Sequence, residues 1–182
     1  LWGMHRMGSK YVDPYLDQLY GAVQMIESGT TTVQALHSTR RSGSKPIDID
    51  VVDNVVKAYM DAGMRVSYAA STANQHALVV GPRGNELEFA AKLPGDLGQR
   101  FTSFMERGYR SVEELIGALD GVCQKYGNNA HERVQVTMAP SNVHRCSDEL
   151  LMSIKAMATR YNTGIHIHLQ ETVYQKLYGL RT

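Results

Sequence analysis

Residues 164–172 read Gly164-Ile-His-Ile-His-Leu-Gln-Glu-Thr172 and place two histidines and a carboxylate inside an otherwise apolar segment. Side chains of a strand alternate between its two faces, so a strand here puts His166 and His168 on one face. Glu171 then lies just past the strand, where a loop or helix begins. An imidazole at a strand end, followed three residues later by a carboxylate, indicates a metal site at the mouth of a parallel sheet.

The chemistry of such a site follows from the residue types. Neutral imidazole is a ligand for zinc and similar ions, and a bound metal lowers the pKa of its water to roughly 7. A carboxylate that does not bind the metal can take the proton of this water and pass it to a leaving group. The alternative is that both histidines pack in a core and hydrogen-bond to the backbone. Two imidazoles cannot complete a metal site, so further ligands are needed.

Composition describes an ordinary globular chain. Its 182 residues suffice for one domain with a core, and 43% are hydrophobic and 20% charged. A net charge of +1 gives no indication of a nucleic-acid or acidic membrane partner. No apolar run reaches the length of a membrane span, and residues 1–8 lack the apolar region of a signal peptide. Two cysteines, Cys123 and Cys146, indicate a reducing compartment, and we expect a cytoplasmic protein.

Apolar periodicity, caps and β-branched runs predict a regular alternation of helices and strands. The predicted helices cover residues 14–28, 48–62, 96–107, 111–126, 147–161 and 173–180, with part of 86–93 as a further helix. The predicted strands cover residues 30–36, 65–70, 133–139 and 164–169. Residues 71–95 form a long, irregular insertion between the second and third strands.

This alternation favours parallel strands with helical crossovers. A (β/α)₈ barrel averages roughly 30 residues per unit, and two of the three strand intervals fit one unit each. We therefore predict an α/β fold of the (β/α)₈ TIM-barrel type, incomplete at about half a barrel. Residues 1–182 would form a single partial catalytic barrel domain with the 71–95 insertion. The alternative is a small doubly wound sheet, although no Gly-rich phosphate loop follows any strand.

Polar residues collect where the predicted strands end, which is where barrel enzymes carry their active sites. The four exits carry His37, then Asn74, Gln75 and His76, then His144, and finally His168 with Glu171. The remaining histidines are His5, His131 and His166. In a barrel the exits share one end, so these side chains are expected to converge.

Three stretches carry a more specific signal. Glu27-Ser-Gly-Thr-Thr-Thr-Val33, Ala139-Pro-Ser-Asn-Val-His-Arg-Cys-Ser-Asp-Glu-Leu-Leu151 and His166-Ile-His-Leu-Gln-Glu-Thr172 occur in this order. They resemble the second strand, the fourth-strand exit and the fifth-strand His-x-x-Glu-Thr motif of the amidohydrolase superfamily. The matching branch contains metal-dependent deaminases and chlorohydrolases of nucleobase-like and triazine rings. The resemblance covers most of the chain, and the third motif is the most specific.

This resemblance implies a reaction and two principal residues. The parent enzyme would hydrolyse a C–N or C–Cl bond of a small heteroaromatic substrate through metal-activated water. The implied cofactor is a divalent metal, zinc in the first place and iron as the alternative. His168 matches the fifth-strand metal ligand, and Glu171 matches the acid/base that shuttles protons.

Four further residues are candidates for the same site. His144 matches a substrate-contacting histidine, which the family often places a few residues earlier, beside the proline. Asn74 and Gln75 are candidate substrate contacts by location alone. His166 shares the barrel-facing side with His168 and is a possible additional site residue, although it is not the matched ligand.

The chain also departs from the family pattern. The His-x-His pair of the first strand is absent before residue 30, and the later His and Asp ligands would lie beyond Thr182. The resemblance therefore covers about strands two to five. Together with the missing initiator Met, this pattern is what a fragment or truncated reading frame would show, and we expect little or no turnover from this chain alone.

Two other interpretations stay open. A half barrel leaves two sheet edges unpaired, which favours a homo-oligomer, and the chain could be a non-catalytic half-barrel binding or assembly domain that self-associates. The chain could also be an unrelated α/β enzyme whose His166 and His168 are structural. The substrate, the leaving group and the metal are not determined by the sequence.

Overall fold

The computed structural model describes residues 11–38, 46–75, 85–106, 110–127 and 132–181. His76 of the second predicted strand exit lies outside these residues, as do His5 and His131. The helices are α1 Pro14–Glu27, α2 Ile49–Asp61, α3 Asn85–Ala91, α4 Leu97–Glu106, α5 Val112–Tyr126, α6 Asp148–Arg160 and α7 Val173–Gly179. The strands are β1 Thr32–His37, β2 Arg65–Thr72 and β3 Val134–Pro140, and a 3-10 turn covers Val143–Arg145.

The three strands form one parallel sheet in the order β1-β2-β3. Each strand pairs with the next one along the chain, and Tyr68 of β2 lies opposite Ala35 of β1 and Val136 of β3. A doubly wound sheet reverses its strand order at a switch point. The described strands show no reversal, so they follow the sequential order of a barrel.

The predicted fourth strand is only partly formed. Residues 164–168 run parallel to β3 through two isolated bridges, Met138 with Ile165 and Asn142 with His168. From the first bridge to the second, the chain advances four residues on the β3 side (Met138 to Asn142) but only three on the opposing segment (Ile165 to His168). Pro140 lies in this interval and has no N–H to donate, so a continuous ladder cannot form there.

Local capping explains where the helices begin and end. Ser111 and Glu114 form the predicted capping box, with Glu114 N–H donating to Ser111 Oγ at 3.1 Å and Ser111 N–H donating to Glu114 Oε2 at 2.9 Å. Asp48 caps α2. Gly29 and Gly63 follow α1 and α2 with φ of +88° and +79°, a conformation that favours glycine.

One face of the sheet packs against helices and holds the core. Strand side chains alternate between faces, so Val66, Tyr68 and Ala70 of β2 share the packed face, and all three are buried. The buried helix residues of the same cluster include Val52, Val55 and Val56 of α2, Leu115, Leu119 and Val122 of α5, and Leu150 and Ile154 of α6. The core therefore lies between the sheet and helices α2, α5 and α6.

The opposite face of the sheet is more polar, and its first row of side chains is exposed or half-buried. Gln34, Ser67 and Gln135 lie in one row across the three strands, and none of them is buried. The Ser67 and Thr137 hydroxyl oxygens lie 3.4 Å apart on this face. In a barrel this is the face that lines the interior.

His37 lies at the expected end of β1 but on the packed face. It pairs with Ala70, and its ring centroid lies 6.1 Å from that of Tyr68. The His37 Nδ1 and the Tyr68 hydroxyl are buried without a hydrogen-bond partner among the described residues. Strand alternation therefore directs His37 toward the helices, away from the more polar face.

The insertion between β2 and β3 is shorter than predicted at its start and partly helical. β2 continues to Thr72, and α3 and α4 pack against each other, with the Phe89 and Phe101 rings edge to face at 5.4 Å. The predicted helix within residues 86–93 is confirmed by α3.

Apolar side chains are exposed on the first and last helices. Those of α1 are Leu16, Tyr20, Val23 and Ile26, and those of α7 are Val173, Tyr174 and Leu177. In the described part of the chain, no helix is both long and apolar enough to span a membrane.

Helix α6 offers a matched test of the core. Ile154 is fully buried, whereas Met152 on the same helix is 70% exposed. We expect Ile154→Ala to lower the free energy of unfolding by about 2–5 kcal/mol, because it leaves a cavity. Met152→Ala should change it by less than about 0.5 kcal/mol. Urea denaturation measures both, and equal effects would contradict the described core.

The pH dependence of stability tests the environment of His37. Burial lowers the pKa of His37 from its ordinary value of 6.5, and the Asp17 carboxylate opposes this effect. The unfolded chain therefore takes up a proton at a higher pH than the folded chain. Stability contributed by neutral His37 is present above pH 6.5 and is lost as the pH falls toward the lowered pKa.

We expect acidification from pH 6.5 to destabilise the wild type more steeply than His37→Gln. The difference in slope can reach about 1.4 kcal/mol per pH unit, the limit for one proton. Urea denaturation at a series of pH values measures it. Parallel stability curves for the two proteins would contradict a lowered pKa of His37 in the folded protein.

Candidate active site

His168 is oriented by a backbone carbonyl. Its Nδ1 lies 3.1 Å from the Ser141 carbonyl oxygen, and its backbone N–H donates to the same oxygen at 3.3 Å. A carbonyl can only accept, so Nδ1 carries the proton in this contact. The neutral ring then presents Nε2 with a free lone pair. This is how proteins fix the tautomer of a metal-ligating histidine.

His166 lies beside His168, as expected for two residues on one strand face. The ring centroids are 6.1 Å apart and the planes are inclined by 20°. The His166 Nδ1 is buried and has no hydrogen-bond partner in the described part of the chain. A buried polar atom without a partner is costly, so this nitrogen is available to a further group at the site.

Glu171 directly precedes Thr172, the N-cap residue of α7, and is exposed. Gln175 pairs with it twice: Glu171 N–H donates to Gln175 Oε1 at 2.9 Å, and Gln175 Nε2 donates to Glu171 Oε2 at 3.1 Å. Thr172 caps the helix through a bond from the Gln175 N–H. Gln170 has a φ of +55°, an uncommon left-handed conformation for a residue other than glycine. The chain therefore turns sharply between His168 and Glu171.

His144 lies in the 3-10 turn after β3 and is buried, with 6% of its surface exposed. Its ring meets that of Tyr178 on α7 edge to face, with centroids 6.2 Å apart. The exit of β3 and the helix that follows Glu171 are therefore in contact. Substrate contact by His144 stays a prediction.

The side chains of Asn74 and Gln75 hydrogen-bond to the turn that follows β3. Asn74 Nδ2 donates to Ser147 Oγ at 2.9 Å, and Ser147 N–H donates to Asn74 Oδ1 at 2.8 Å. Gln75 Nε2 donates to the carbonyls of His144 at 3.3 Å and Cys146 at 3.0 Å. Contact of Asn74 and Gln75 with substrate stays a prediction.

The described donors fit a metal only in part. His168 offers Nε2 as a ligand nitrogen, because its Nδ1 donates to the Ser141 carbonyl, and the neighbouring His166 offers a second imidazole. Within the described ranges, however, no group of three or more His, Cys, Asp or Glu side chains is arranged to hold a metal ion. Burial raises the pKa of the Cys146 thiol, which favours the protonated form over a thiolate ligand.

Sequence patterns missed the groups that orient the site. The Ser141 carbonyl and the Thr72 carbonyl are backbone atoms, and no side-chain motif marks them. Thr72 O accepts from the Ser141 N–H at 2.8 Å and from Cys146 Sγ at 3.4 Å. Of the groups that orient the site, only Ser147 could be recognised in the sequence, because it begins a predicted helix.

The chain matches the model of the amidohydrolase family over residues 15–176. It belongs to this family. The expected (β/α)₈ TIM-barrel fold, in incomplete form, is confirmed by similarity to solved amidohydrolase structures. The atrazine chlorohydrolase TrzN from Arthrobacter aurescens, complexed with zinc, superposes with a TM-score of 0.65 at 20% identity. The match covers 97% of this chain and 35% of that one.

Guanine deaminase from C. acetobutylicum with bound guanine gives a TM-score of 0.60 at 14% identity, over 88% of this chain and 31% of that one. In sequence, this chain is 29% identical to the 5'-deoxyadenosine deaminase of Methanococcus vannielii over 174 residues. It is 26% identical to the 5-methylthioadenosine/S-adenosylhomocysteine deaminase of Desulfitobacterium hafniense over 160 residues. These matches cover 95% and 88% of this chain but only 31% and 27% of the two relatives. The chain thus spans less than a third of their length.

Proposed function

We propose that this chain is the part of a metal-dependent hydrolase that carries one metal-ligating imidazole and the residue that moves protons. The observation that carries the proposal is the His168 ring, whose Nδ1 donates to the Ser141 carbonyl, with Glu171 three residues later. Membership of the amidohydrolase family supports it. The whole protein would replace an amine or chloride on a heteroaromatic ring by oxygen from water.

The cofactor we propose is a divalent metal, zinc in the first place and iron as the alternative. The structurally similar TrzN was crystallised with zinc. His168 would hold the ion through Nε2, and the unpartnered His166 Nδ1 lies next to it. The chemistry that zinc supplies in hydrolases is the activation of water, whose pKa falls to roughly 7. Further ligands would come from outside the described residues.

Glu171 would take one proton from the attacking water and return it to the ring nitrogen or the leaving group. An exposed carboxylate beside a helix start is suited to this transfer, because its oxygens can accept a proton and are accessible to substrate. An amine departs as ammonia only after it gains a proton, whereas chloride departs without one. Deamination therefore uses both the basic and the acidic form of Glu171.

The substrate class we propose is a small nucleobase-like or triazine-like ring, and a deaminase is the favoured type. The two sequence relatives are deaminases of 5'-deoxyadenosine and of 5-methylthioadenosine or S-adenosylhomocysteine. The structural neighbours include a chlorohydrolase and a guanine deaminase. The proposed cytoplasmic location rests on the two free, buried cysteines.

A non-catalytic assembly role is the second candidate. Exposed apolar side chains on α1 and α7 favour association with another surface. Among the described strands, β1 pairs with β2 alone, so it presents an edge to a second copy. In this case the site residues would carry no reaction, and the protein would be a homo-oligomer.

Metal binding tests the role of His168. We expect zinc affinity of the chain, measured by competition with a chromogenic chelator, to fall at least about 10- to 100-fold in His168→Ala. His37→Gln is the matched control, because it removes a histidine from the other face of the sheet. Equal zinc affinity in the wild type and His168→Ala would contradict the assignment.

Glu171→Gln tests the reaction in a form of the protein that hydrolyses its substrate. We expect kcat to fall about 10²- to 10⁴-fold, because the amide cannot accept the proton, while the metal stays bound. Glu149→Gln, an exposed carboxylate on α6, is the control that removes the same charge. Unchanged hydrolysis in Glu171→Gln would refute the proton-transfer role and favour the assembly interpretation.

A further inference from the structure

The exit of β2 and the turn after β3 are joined by an unusually dense set of hydrogen bonds. The backbone N–H groups of Asn74 and Gln75 both donate to the Arg145 carbonyl at 3.0 Å. Their side chains add the two bonds to Ser147 and the two to the carbonyls of His144 and Cys146. Six bonds thus connect two consecutive residues to one short turn.

The same turn carries the groups that define the candidate site. At its start, the Ser141 carbonyl accepts from His168 Nδ1, while the Ser141 N–H donates to the Thr72 carbonyl of β2. In its middle, His144 packs against Tyr178 of α7. A shift of this turn would therefore move the acceptor that fixes the tautomer of His168.

We propose that Asn74 and Gln75 are positioning residues that hold the turn of residues 141–147, a role that rests on the proposed function because it serves His168. They act through the Ser141 carbonyl, which keeps the proton of His168 on Nδ1 and leaves Nε2 for the ligand. This role uses their hydrogen bonds to the turn and requires no contact with substrate.

The two amides differ in what they offer to the turn. Asn74 both accepts from Ser147 N–H and donates to Ser147 Oγ. A carboxylate at position 74 keeps the acceptor, and the Ser147 hydroxyl can rotate to donate to its second oxygen. Among the described residues, the Gln75 side chain only donates, to two carbonyl oxygens. A carboxylate at position 75 would face both oxygens without a proton, which is repulsive.

This difference gives a pair of substitutions with opposite expectations. Asn74→Asp should preserve the turn, and the negative charge also lies at the N-terminus of α6, where it is favourable. Asn74→Ala and Gln75→Glu should loosen the turn. Gln99→Glu, at an exposed position of α4, is the control for the added charge.

The readout is the tautomer of His168 in the 182-residue chain. Long-range ¹H–¹⁵N spectra of the histidine rings, recorded for all proteins in the same buffer, distinguish Nδ1–H from Nε2–H. The His168 signals are assigned with His168→Gln. Hydrogen exchange of residues 141–150, followed by mass spectrometry, reports the turn independently.

We expect a single Nδ1–H signature for His168 in the wild type, Asn74→Asp and Gln99→Glu. In Asn74→Ala and Gln75→Glu, that single signature should be lost to a mixture of tautomers, with faster exchange in residues 141–150. Faster exchange with an unchanged His168 tautomer would overturn the proposal, because Asn74 and Gln75 would then stabilise the turn without any effect on His168. Loss of the signature in Asn74→Asp would also overturn it, and this folded variant decides the matter if the others fail to fold. Because no step measures turnover, failure of the proposed reaction leaves this test intact.

Discussion

The hydrogen bond from His168 Nδ1 to the Ser141 carbonyl is the interaction on which the candidate site depends. It selects the Nδ1–H tautomer and leaves the lone pair of Nε2 for a ligand. The bond forms only because residues 164–168 run parallel to β3. That alignment in turn requires the sequential sheet, whose packed face is held by the core beneath α2, α5 and α6.

The two faces of the sheet have different roles, one in the core and one on the polar side. Apolar side chains such as Val66, Tyr68 and Ala70 of β2 face the helices and provide stability through burial. The polar row of Gln34, Ser67 and Gln135 lies on the other side. Site groups gather at the ends of the strands, where the ladder stops and backbone carbonyls become free to orient side chains.

Sequence patterns predicted the strands and helix caps because both depend on neighbouring residues. Periodic apolar residues revealed α2 and α5, and Ser111 with Glu114 revealed a capping box. The family motif also singled out His168 and Glu171. The partners of Asn74 could not be predicted, because its bonds to Ser147 join residues 73 positions apart. The left-handed backbone of Gln170 likewise depends on contacts that no local pattern encodes.

The most direct test of this account is to identify which nitrogen of His168 binds zinc. Histidine ¹H–¹⁵N spectra of the labelled chain during a zinc titration provide the answer. We expect the Nε2 signal of His168 to change, while its Nδ1 keeps the proton that it donates to Ser141. A zinc-dependent change at Nδ1 with loss of that proton, or no change in His168 at all, would contradict it.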